Sequence, residues 1–353
     1  MSSAACPRGQ LLLRHLPDWL DQPLTLIAAA ADFQLQPLVT PGFFNQKTRA
    51  WTSDWRLAST AQRLDLESYF ISQQAPTEVD GRLVLLWPKA KGEGYWWLQQ
   101  LADLAIQQFY LLGENQGGVK AAAKLLAEAG LQVSKLDSAR RCSLYIVQAT
   151  QPLGELLPLQ PATTWLEGPA GLQLFNQPGV FSQNKVDEGS ALLLETLERE
   201  VSQLPSTGKL LDLGCGTGLL GAWFLSQRPA WQLLATDVNG FALLATRKTL
   251  EANGLQGQCL AADVYTGLDD ACAPASLDLI LSNPPFHTGR GTDYGPAERL
   301  IKQAPAWLKP GGELRIVANR FLPYPDLLDA AFGSFTRLAE TGKFTVYQAR
   351  KTR

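Results

Sequence analysis

The chain has 353 residues, of which 46% are hydrophobic and 18% are charged, and its formal net charge is −2. This composition excludes a disordered chain and argues against a general polyanion-binding protein, whose affinity rests on many lysines and arginines. No apolar stretch approaches the length that spans a bilayer, and no signal-like segment opens the sequence, so we expect a cytoplasmic protein without membrane contact.

The five cysteines are odd in number and fall at no spacing typical of metal ligands. Reduced thiols are therefore expected, and no metal site is indicated. At this length the chain is predicted to form two domains of ordinary size, each able to bury its own core.

The front half contains strand-like segments at 24–30, 82–88 and 109–115, and its segment 139–145 parallels 341–347 of the back half, a turn followed by a strand. A proline-rich segment, 151–161, follows and breaks both helical and strand periodicity. We therefore place a domain boundary there, between a front domain of residues 1–155 and a back domain of residues 165–353.

The back domain alternates strands with helices. The helices are predicted at 219–227, 241–252 and 296–308, and the strands at 209–213, 231–236, 258–262, 277–282, 313–318, 335–340 and 344–349. This alternation predicts right-handed crossovers and a doubly wound, mostly parallel α/β sheet. The last two strands, joined by Thr341-Gly342-Lys343, are expected to form an antiparallel hairpin at its edge.

The front half repeats this order of strands with similar spacings, which indicates a duplicated module. Its first strand ends in four alanines, Ala28 to Ala31, and Trp87 stands where the back half has Asn283. Because close backbone approach to a ligand requires glycine, we predict that the front module no longer binds cofactor. Two unrelated α/β domains with similar strand spacing remain the alternative.

A glycine-rich loop with Gly214, Gly216 and Gly218 separates the strand 209–213 from the helix that follows. Glycines let the backbone approach a ligand, and the amides at a helix start favour polar or anionic ligand groups. The glycine spacing also fits the dinucleotide fingerprint. Asp212 distinguishes a dinucleotide site from a site for an amino-acid-bearing cofactor. A carboxylate there repels the pyrophosphate of a dinucleotide but attracts the ammonium of an amino acid.

Two further acids, Asp237 and Asp263, each follow a predicted strand. An acid that ends the second strand commonly binds ribose hydroxyls, and one that follows the third strand can accept from an adenine amine. Each acid alone is equally well explained as a helix N-cap. Together with the glycine loop and the corner at Asn283 they form a four-point pattern that chance rarely supplies.

The corner Asn283-Pro284-Pro285-Phe286 ends the apolar strand 277–282. Two successive prolines remove two backbone donors, so the carbonyls of Asn283 and Pro284 are left to face a ligand. A planar amine or amide can donate to the Asn283 oxygen and to a proline carbonyl while Phe286 stacks on it. This grip turns a nitrogen lone pair toward an electrophile. A cis-proline turn between strand and helix is the alternative.

These residues resemble the S-adenosylmethionine-dependent methyltransferases that modify nitrogen on bases or amides. Further segments narrow the resemblance to the bacterial small-subunit rRNA guanine-N2 methyltransferase C family, namely 135–142, 179–182, 187–190, 283–289 and 312–325. The resemblance implies two tandem Rossmann-like class I modules, the front one degenerate. It also implies methyl transfer from S-adenosylmethionine to the exocyclic N2 of a guanine in 16S rRNA of the small ribosomal subunit, guanine 1207.

The predicted cofactor-binding residues are Phe181, Ser190, Asp212, Gly214, Cys215, Gly216, Gly218, Asp237, Val238, Asp263, Val264 and Asn283. The resemblance implies that Phe181 and Ser182 form a lid over the cofactor together with Asp187 to Ser190. The alternative to a lid is an ordinary loop that enters the domain. The predicted catalytic residues are Asn283, Pro284 and Phe286. They would orient the guanine nitrogen in line with the methyl group, so no strong base is required.

The predicted substrate contacts are Phe286 and His287 at the base, and Lys135, Arg140 and Arg141 on rRNA. For the three cations a solvated face is the alternative, and for His287 a helix cap. The chain is expected to act as a monomer on the small subunit. A guanine of 23S rRNA, an adenine N6, a protein glutamine amide and a non-enzymatic role in ribosome assembly remain alternatives, whereas a dehydrogenase is disfavoured by Asp212.

Overall fold

The computed structural model describes residues 6–19, 21–39, 48–71, 79–156, 163–181, 185–284 and 295–352. The chain divides into two compact units, Met1–Ala162 and Thr163–Arg353. They are called the front unit and the back unit below, and each contains its own sheet.

The front unit is an α/β sandwich around one sheet. Its strands are β1 (Leu24–Ile27), β2 (Thr48–Thr52), β3 (Glu67–Phe70), β4 (Arg82–Leu86), β5 (Gln108–Glu114), β6 (Gln132–Ala139) and β7 (Cys142–Gln148). Its helices are α1 (Pro7–Leu13), α2 (Trp55–Arg63), α3 (Lys91–Asp103), α4 (Val119–Glu128) and the short α5 (Leu153–Leu156). Among the residues described, the strand order is β3-β2-β1-β4-β5-β7-β6, and β7 runs antiparallel to both of its neighbours.

The back unit begins with a small antiparallel pair, β8 (Thr164–Glu167) and β9 (Gln173–Asn176). Its main sheet contains β10 (Lys209–Leu213), β11 (Gln232–Asp237), β12 (Gln258–Ala261), β13 (Leu277–Ser282), β14 (Leu308–Asn319), β15 (Thr336–Glu340) and β16 (Phe344–Arg350). Its helices are α6 (Glu188–Glu198), α7 (Leu219–Gln227), α8 (Gly240–Ala252), α9 (Gly295–Trp307) and α10 (Tyr324–Phe332). The described strands of this sheet are ordered β12-β11-β10-β13-β14-β16-β15.

The two sheets have the same strand order, position by position. In each, the first strand pairs in parallel with the second and the fourth, and the last strand lies antiparallel between the fifth and the sixth. Two unrelated domains have no reason to share this order. The structure therefore confirms the predicted pair of doubly wound modules with an antiparallel hairpin at one edge.

The central strands of the back unit are buried on both faces, as strands of parallel sheets are when helices cover both sides. Leu210 and Leu211 of β10 and Ile280 and Leu281 of β13 are each 0% exposed. The helix α7 is apolar around most of its circumference and is buried along most of its length. This packing leaves the carboxyl edge of the sheet as the place where polar side chains gather.

Several element boundaries differ from those predicted, most of them by one or two residues. The strand predicted at 313–318 begins at Leu308, because Leu308 already pairs with Leu277 before the register shifts. The first strand of the front unit ends at Ile27 rather than at residue 30, since Ala28 has a φ of +60° and turns the chain. The helix predicted at 296–308 lies one residue earlier, at Gly295–Trp307.

All five cysteines are free thiols. Burial raises the pKa of Cys142 and of Cys259 to about 11, so both thiols are protonated at neutral pH. Within the described ranges, no helix combines the length and the apolar character needed to cross a membrane.

Candidate active site

Most of the predicted site residues of the back unit lie at the carboxyl ends of β10, β11 and β13, which are neighbours in the sheet, and Asp263 and Val264 follow β12 at the sheet edge. The hydroxyl of Ser282 at the end of β13 donates to the carbonyl oxygen of Leu213 at the end of β10, at 2.7 Å. The chain continues from Leu213 into the glycine loop and from Ser282 into Asn283. The loop and the corner therefore begin side by side.

The glycine loop leaves open space beside its backbone. Gly214 and Gly216 have φ values of +75° and +56°, and an added Cβ at either would meet no atom within 4 Å. Gly218 differs, because an added Cβ there would lie 2.9 Å from the Thr246 side chain. The first two glycines thus form a cradle that a ligand can fill, and the third allows the loop to pack on α8.

Thr246 of α8 supports the loop from this packed side. Its hydroxyl donates to the Gly216 carbonyl at 3.2 Å and lies 3.2 Å from the Sγ of Cys215. Cys215 is 6% exposed, and burial raises the pKa of its thiol well above the ordinary value. The predicted contribution of Cys215 to ligand binding therefore rests on its backbone and not on a thiolate.

Asp212 lies beneath the loop and is 1% exposed. Its Oδ2 accepts from the Gly221 amide at 2.9 Å, and its buried Oδ1 has no partner among the described residues. Burial raises the pKa of this carboxyl to about 7, although the Gly221 hydrogen bond lowers it. A buried acceptor without a donor is a feature that a cationic ligand group would satisfy.

Asp237 ends β11 next to the loop. Its Oδ2 accepts from the Gly216 amide at 3.2 Å and its Oδ1 from the Asn239 amide at 2.9 Å. Asp237 and the following Val238 are both partly exposed. The two amides fix the carboxylate beside the cradle, where it was predicted to bind ribose hydroxyls.

Asp263 and Val264 follow β12. Arg299 of α9 donates to both Asp263 oxygens, at 2.7 and 3.1 Å. Val264 is 7% exposed and has a φ of +61°, a conformation that β-branched residues rarely adopt. Backbone strain of this kind costs on the order of 1–3 kcal/mol and concentrates at functional sites. The strain favours the predicted ligand role of this turn, while the Arg299 pair gives Asp263 a partner that was not predicted.

The segment 177–181 is fastened to the start of α8. The Asn239 side chain donates to the Gly179 carbonyl at 2.6 Å, and the Gln177 side chain donates to the Phe241 carbonyl at 2.7 Å. Since Asn239 follows Asp237 by two residues, the segment lies beside the end of β11. Phe181 at its end is 62% exposed. An exposed aromatic ring at this place is compatible with the predicted lid.

Asn283 is held by the start of α6. Its Nδ2 donates to Oδ2 of Asp187 at 2.7 Å and to the Ser190 hydroxyl at 2.9 Å. Only an NH2 group can face a carboxylate in this way, so the contacts define which end of the amide is which. The buried Oδ1 of Asn283 has no partner in the part of the chain that the structure describes. The side chain thus presents an oriented acceptor.

The rest of the corner is described only in part. Pro284 is buried, and no cis peptide bond occurs among the described residues. The predictions for Phe286, His287 and Ser182 lie outside the described residues. The hydroxyl of Ser190, a residue predicted to bind cofactor, accepts from Asn283 in this structure.

The front unit has different residues at the corresponding positions. Trp87 follows β4 and is 5% exposed, and its ring packs so closely on α3 that an added Cβ at Gly94 would lie 2.6 Å from it. Thr52 ends β2, where the back unit has Asp237, and its hydroxyl donates to the Ala29 carbonyl at 2.5 Å. The indole of Trp87 thus takes the place of the Asn283 amide, and the hydrogen-bonded hydroxyl of Thr52 takes the place of the Asp237 carboxylate.

Lys135, Arg140 and Arg141 all lie on the β6–β7 hairpin of the front unit and are exposed. None of the three has an ion-pair partner within the described part of the chain. Arg140 and Arg141 form the two-residue turn between the paired Ala139 and Cys142, with φ values of +50° and +62°. The structure therefore brings the three cations to one hairpin.

Comparisons with known proteins fit this architecture. Residues 9–158 match the family described as the methyltransferase small domain N-terminal, and residues 171–348 match the methyltransferase small domain. A ribosomal RNA small subunit methyltransferase C from Photorhabdus laumondii is 37% identical and aligns over 99% of both chains. The protein of the same name from Chromohalobacter salexigens is 48% identical over 76% of this chain and 78% of its own.

The chain belongs to the ribosomal RNA small subunit methyltransferase C family. This membership confirms the resemblance inferred from the sequence. A solved structure, the T. thermophilus 16S rRNA N2 G1207 methyltransferase in complex with AdoMet and guanosine, covers 95% of this chain and 91% of its own, with a TM-score of 0.78 and 24% identity. At 24% identity, this similarity shows that the two proteins share a fold.

Sequence reasoning missed several contacts of the site. Arg299 and Thr246 lie on helices, where no local pattern distinguishes them from ordinary surface or core residues. Asp187 belongs to the predicted lid, and its contact with Asn283, which joins residues 96 positions apart, was not predicted. Asp187 caps α6, and nothing in the sequence indicates which second group its carboxylate binds.

Proposed function

We propose that the chain transfers a methyl group from S-adenosylmethionine to the exocyclic N2 of a guanine in 16S rRNA, the position named G1207 in the T. thermophilus relative. The names of the curated relatives support the rRNA substrate. The observation that carries the proposal is Asn283, whose NH2 group is fully engaged while its Oδ1 is left as an oriented acceptor at the sheet edge.

The back unit has the features that the cofactor requires. Asp212 would attract its ammonium group through the unpartnered Oδ1, and the cradle at Gly214 and Gly216 would admit it close to the backbone. Asp237 would accept from the ribose hydroxyls and Asp263 from the adenine amine. S-adenosylmethionine, when bound, supplies a methyl group on a positively charged sulfur.

The acceptor nitrogen is a poor nucleophile, because the lone pair of a guanine N2 is delocalised into the ring. Asn283 Oδ1 and the Pro284 carbonyl would each accept one N2 hydrogen and so orient the lone pair. As positive charge develops on the nitrogen, these acceptors bind it more strongly in the transition state than in the ground state. Phe286 would stack on the extruded base.

The front unit would recognise the small ribosomal subunit through Lys135, Arg140 and Arg141 and would bind no cofactor. Phosphate contacts of this kind position a protein without reading bases. We further propose that the chain acts in the cytoplasm as a monomer. Calorimetry on the full chain should give one S-adenosylmethionine per chain, and a second saturable site would contradict the loss of binding by the front unit.

The deciding experiment incubates the protein with labelled S-adenosylmethionine and, separately, with small subunits, large subunits and release factors. Label is expected in 16S rRNA of small subunits, and mass spectrometry of the digested RNA should identify N2-methylguanine. Label in 23S rRNA, or in a glutamine of a release factor, would overturn the assignment of the acceptor. Asn283→Ala serves as the control, since it should bind the cofactor and yield little product.

A further inference from the structure

One carboxylate oxygen of Asp187 accepts two hydrogen bonds that have different roles. Its Oδ2 accepts from the Ser190 amide at 2.9 Å, which caps α6, and from Asn283 Nδ2 at 2.7 Å. Gly189 makes room for this arrangement, because an added Cβ there would lie 3.0 Å from the same oxygen. An ordinary N-cap carboxylate serves only its own helix. Here it also holds a side chain of the active site.

The direction of these hydrogen bonds matters for the chemistry. Both hydrogens of Asn283 Nδ2 have acceptors, one on Asp187 and one on Ser190. The amide is therefore prevented from rotating by half a turn, which would present NH2 to the substrate and repel a donor. Asp187 excludes the wrong orientation more strongly than Ser190 does, because a carboxylate can only accept when ionised.

The charge of Asp187 adds a second effect. A hydrogen bond from the amide N–H to a carboxylate draws electron density toward the amide oxygen, since neighbouring hydrogen bonds polarise one another. The Asn283 Oδ1 then becomes a stronger acceptor for a nitrogen that is gaining positive charge. Hydrogen bonds with an ionised partner are also shorter and stronger than neutral ones, in keeping with the distance of 2.7 Å.

We propose that Asp187 is a positioning residue that locks Asn283 as an acceptor and strengthens it by its charge. This inference rests on the proposed transfer of a methyl group to a nitrogen. In this proposal Asp187 acts through Asn283 rather than by contact with the substrate.

An ion pair just beyond the end of α6 helps to keep this carboxylate in place. Just beyond the helix, Glu200 pairs with Arg315 of β14 at 2.6 Å, and Arg315 also bonds Glu313 at 2.7 Å. Arg315 is 1% exposed. The Glu200 carboxylate is 38% exposed, but the buried Arg315 charge requires its carboxylate partners. This contact therefore ties the end of α6 to the sheet that carries Asn283. The two ends of α6 are thereby tied to neighbouring strands.

The test compares Asp187→Asn with Asp187→Ala, Asn283→Ala and the double variant Asp187→Asn/Asn283→Ala. Asp187→Asn retains a carbonyl oxygen for Asn283 and Ser190 but removes the charge. Turnover at saturating cofactor should fall roughly 10- to 100-fold, less than the 10²–10³-fold typical of removing a group that directly stabilises developing charge. The Kd for S-adenosylmethionine should stay within about twofold, as expected for a loss confined to the transition state.

The double variant shows whether Asp187 acts through Asn283. Turnover should be no lower than in Asn283→Ala alone, because there is no amide left to position. An equal further loss in that background would overturn the proposal. This comparison holds on whichever acceptor the wild-type protein methylates, so a wrong acceptor in the proposed function would be seen separately, in the identity of the wild-type product.

A second measurement does not depend on activity. The side-chain amide resonances of Asn283, assigned by their loss in Asn283→Ala, should move in Asp187→Asn because the charged acceptor is gone. Asp54→Ala removes the N-cap carboxylate of α2 in the front unit, which likewise has a second contact, an ion pair with Arg56, and is the control for loss of such a cap away from the site. If Asp187→Ala lowered the Tm as Asp54→Ala does while turnover and the Asn283 resonances stayed unchanged, Asp187 would be only a helix cap.

Discussion

The guanidinium of Arg299 donates to both carboxylate oxygens of Asp263, from Nη2 at 2.7 Å and from Nη1 at 3.1 Å. The contact ties α9 to the turn that follows β12. Bidentate pairs of this kind add geometric definition as well as energy. Asp263 is therefore held in one orientation before any ligand arrives, with the strained Val264 next to it.

The first prediction separates the two partners of this pair. If Asp263 accepts from the adenine amine, Asp263→Ala should weaken S-adenosylmethionine binding by roughly 1.5–3 kcal/mol, the range for hydrogen bonds to charged groups. Arg299→Met leaves the carboxylate in place and should weaken binding less. Because the pair is partly exposed, Arg299→Met should change the free energy of unfolding by no more than about 1 kcal/mol. Calorimetry and chemical denaturation measure the two effects, and equal losses of affinity would contradict the acceptor role.

The second prediction is that Asp237→Ala and Asn283→Ala fail in different ways. Removing a carboxylate that binds ribose hydroxyls should weaken cofactor binding by roughly 1.5–3 kcal/mol. Removing Asn283 should leave cofactor affinity nearly intact and lower turnover by orders of magnitude. Calorimetry and single-turnover kinetics at saturating cofactor distinguish the two. If both variants lost affinity equally and kept wild-type turnover at saturation, the roles would be wrongly assigned.

The succession of strands and helices along the chain and the place of the site were predictable, because both follow from local patterns. Apolar runs ending in Asp237, Ser282 and the glycine loop mark parallel strands, and such strands bring their carboxyl ends to one edge. The duplication was visible for the same reason. The front strands recur in the order of the back strands, and the replacement of Asn283 by Trp87 could be read directly.

The contacts that orient the site were not predictable, because they join residues that are distant in sequence. Asp187 and Asn283 are 96 positions apart, and Arg299 and Asp263 are 36 apart. A single sequence gives no register between a loop and a strand of this separation. Backbone strain at Val264 was equally hidden, since nothing in the residue type suggests a left-handed conformation.

The third prediction concerns pH and Asp212. Burial raises the pKa of this carboxyl from 3.8 to about 7 in the folded chain. Stability that depends on its protonated form is fully present below pH ~4 and is lost as the pH rises through about 7. Asp212→Asn cannot ionise, so without cofactor it should be more stable than the wild type at pH 8, and the difference should shrink toward pH 5. Denaturation at several pH values measures this.

Proton release on cofactor binding provides a second, independent measurement of the protonation state of Asp212. An ammonium beside Asp212 lowers its pKa, so binding near pH 6 to 7 should release protons. Calorimetry in two buffers of different ionisation enthalpy would detect the release in the wild type and its loss in Asp212→Asn. Identical pH dependence of stability in the two proteins would show that Asp212 does not titrate in this range.

The last prediction uses the conformation of the β6–β7 turn, where Arg140 and Arg141 both have positive φ. A two-residue hairpin loop of this kind favours Asn-Gly, and a left-handed conformation costs other residues roughly 1–2 kcal/mol each. The backbone contacts of the turn, such as the Asn115 amide to the Arg141 carbonyl at 2.8 Å, do not need the arginine side chains. Arg140→Asn/Arg141→Gly should therefore raise the free energy of unfolding by about 1 kcal/mol or more.

The same double variant should bind small ribosomal subunits more weakly, because two phosphate-neutralising charges are lost. The slope of log affinity against log salt should become shallower by about 0.7–0.9 for each lost contact. Lys135→Ala should lower affinity without the gain in stability, whereas Lys124→Ala, at a cation already paired with Glu128 on α4, should change neither. Cofactor binding and the modified nucleotide should stay as in the wild type. Unchanged affinity and salt slope, measured together with the gain in stability, would assign the hairpin arginines to solvent rather than to RNA.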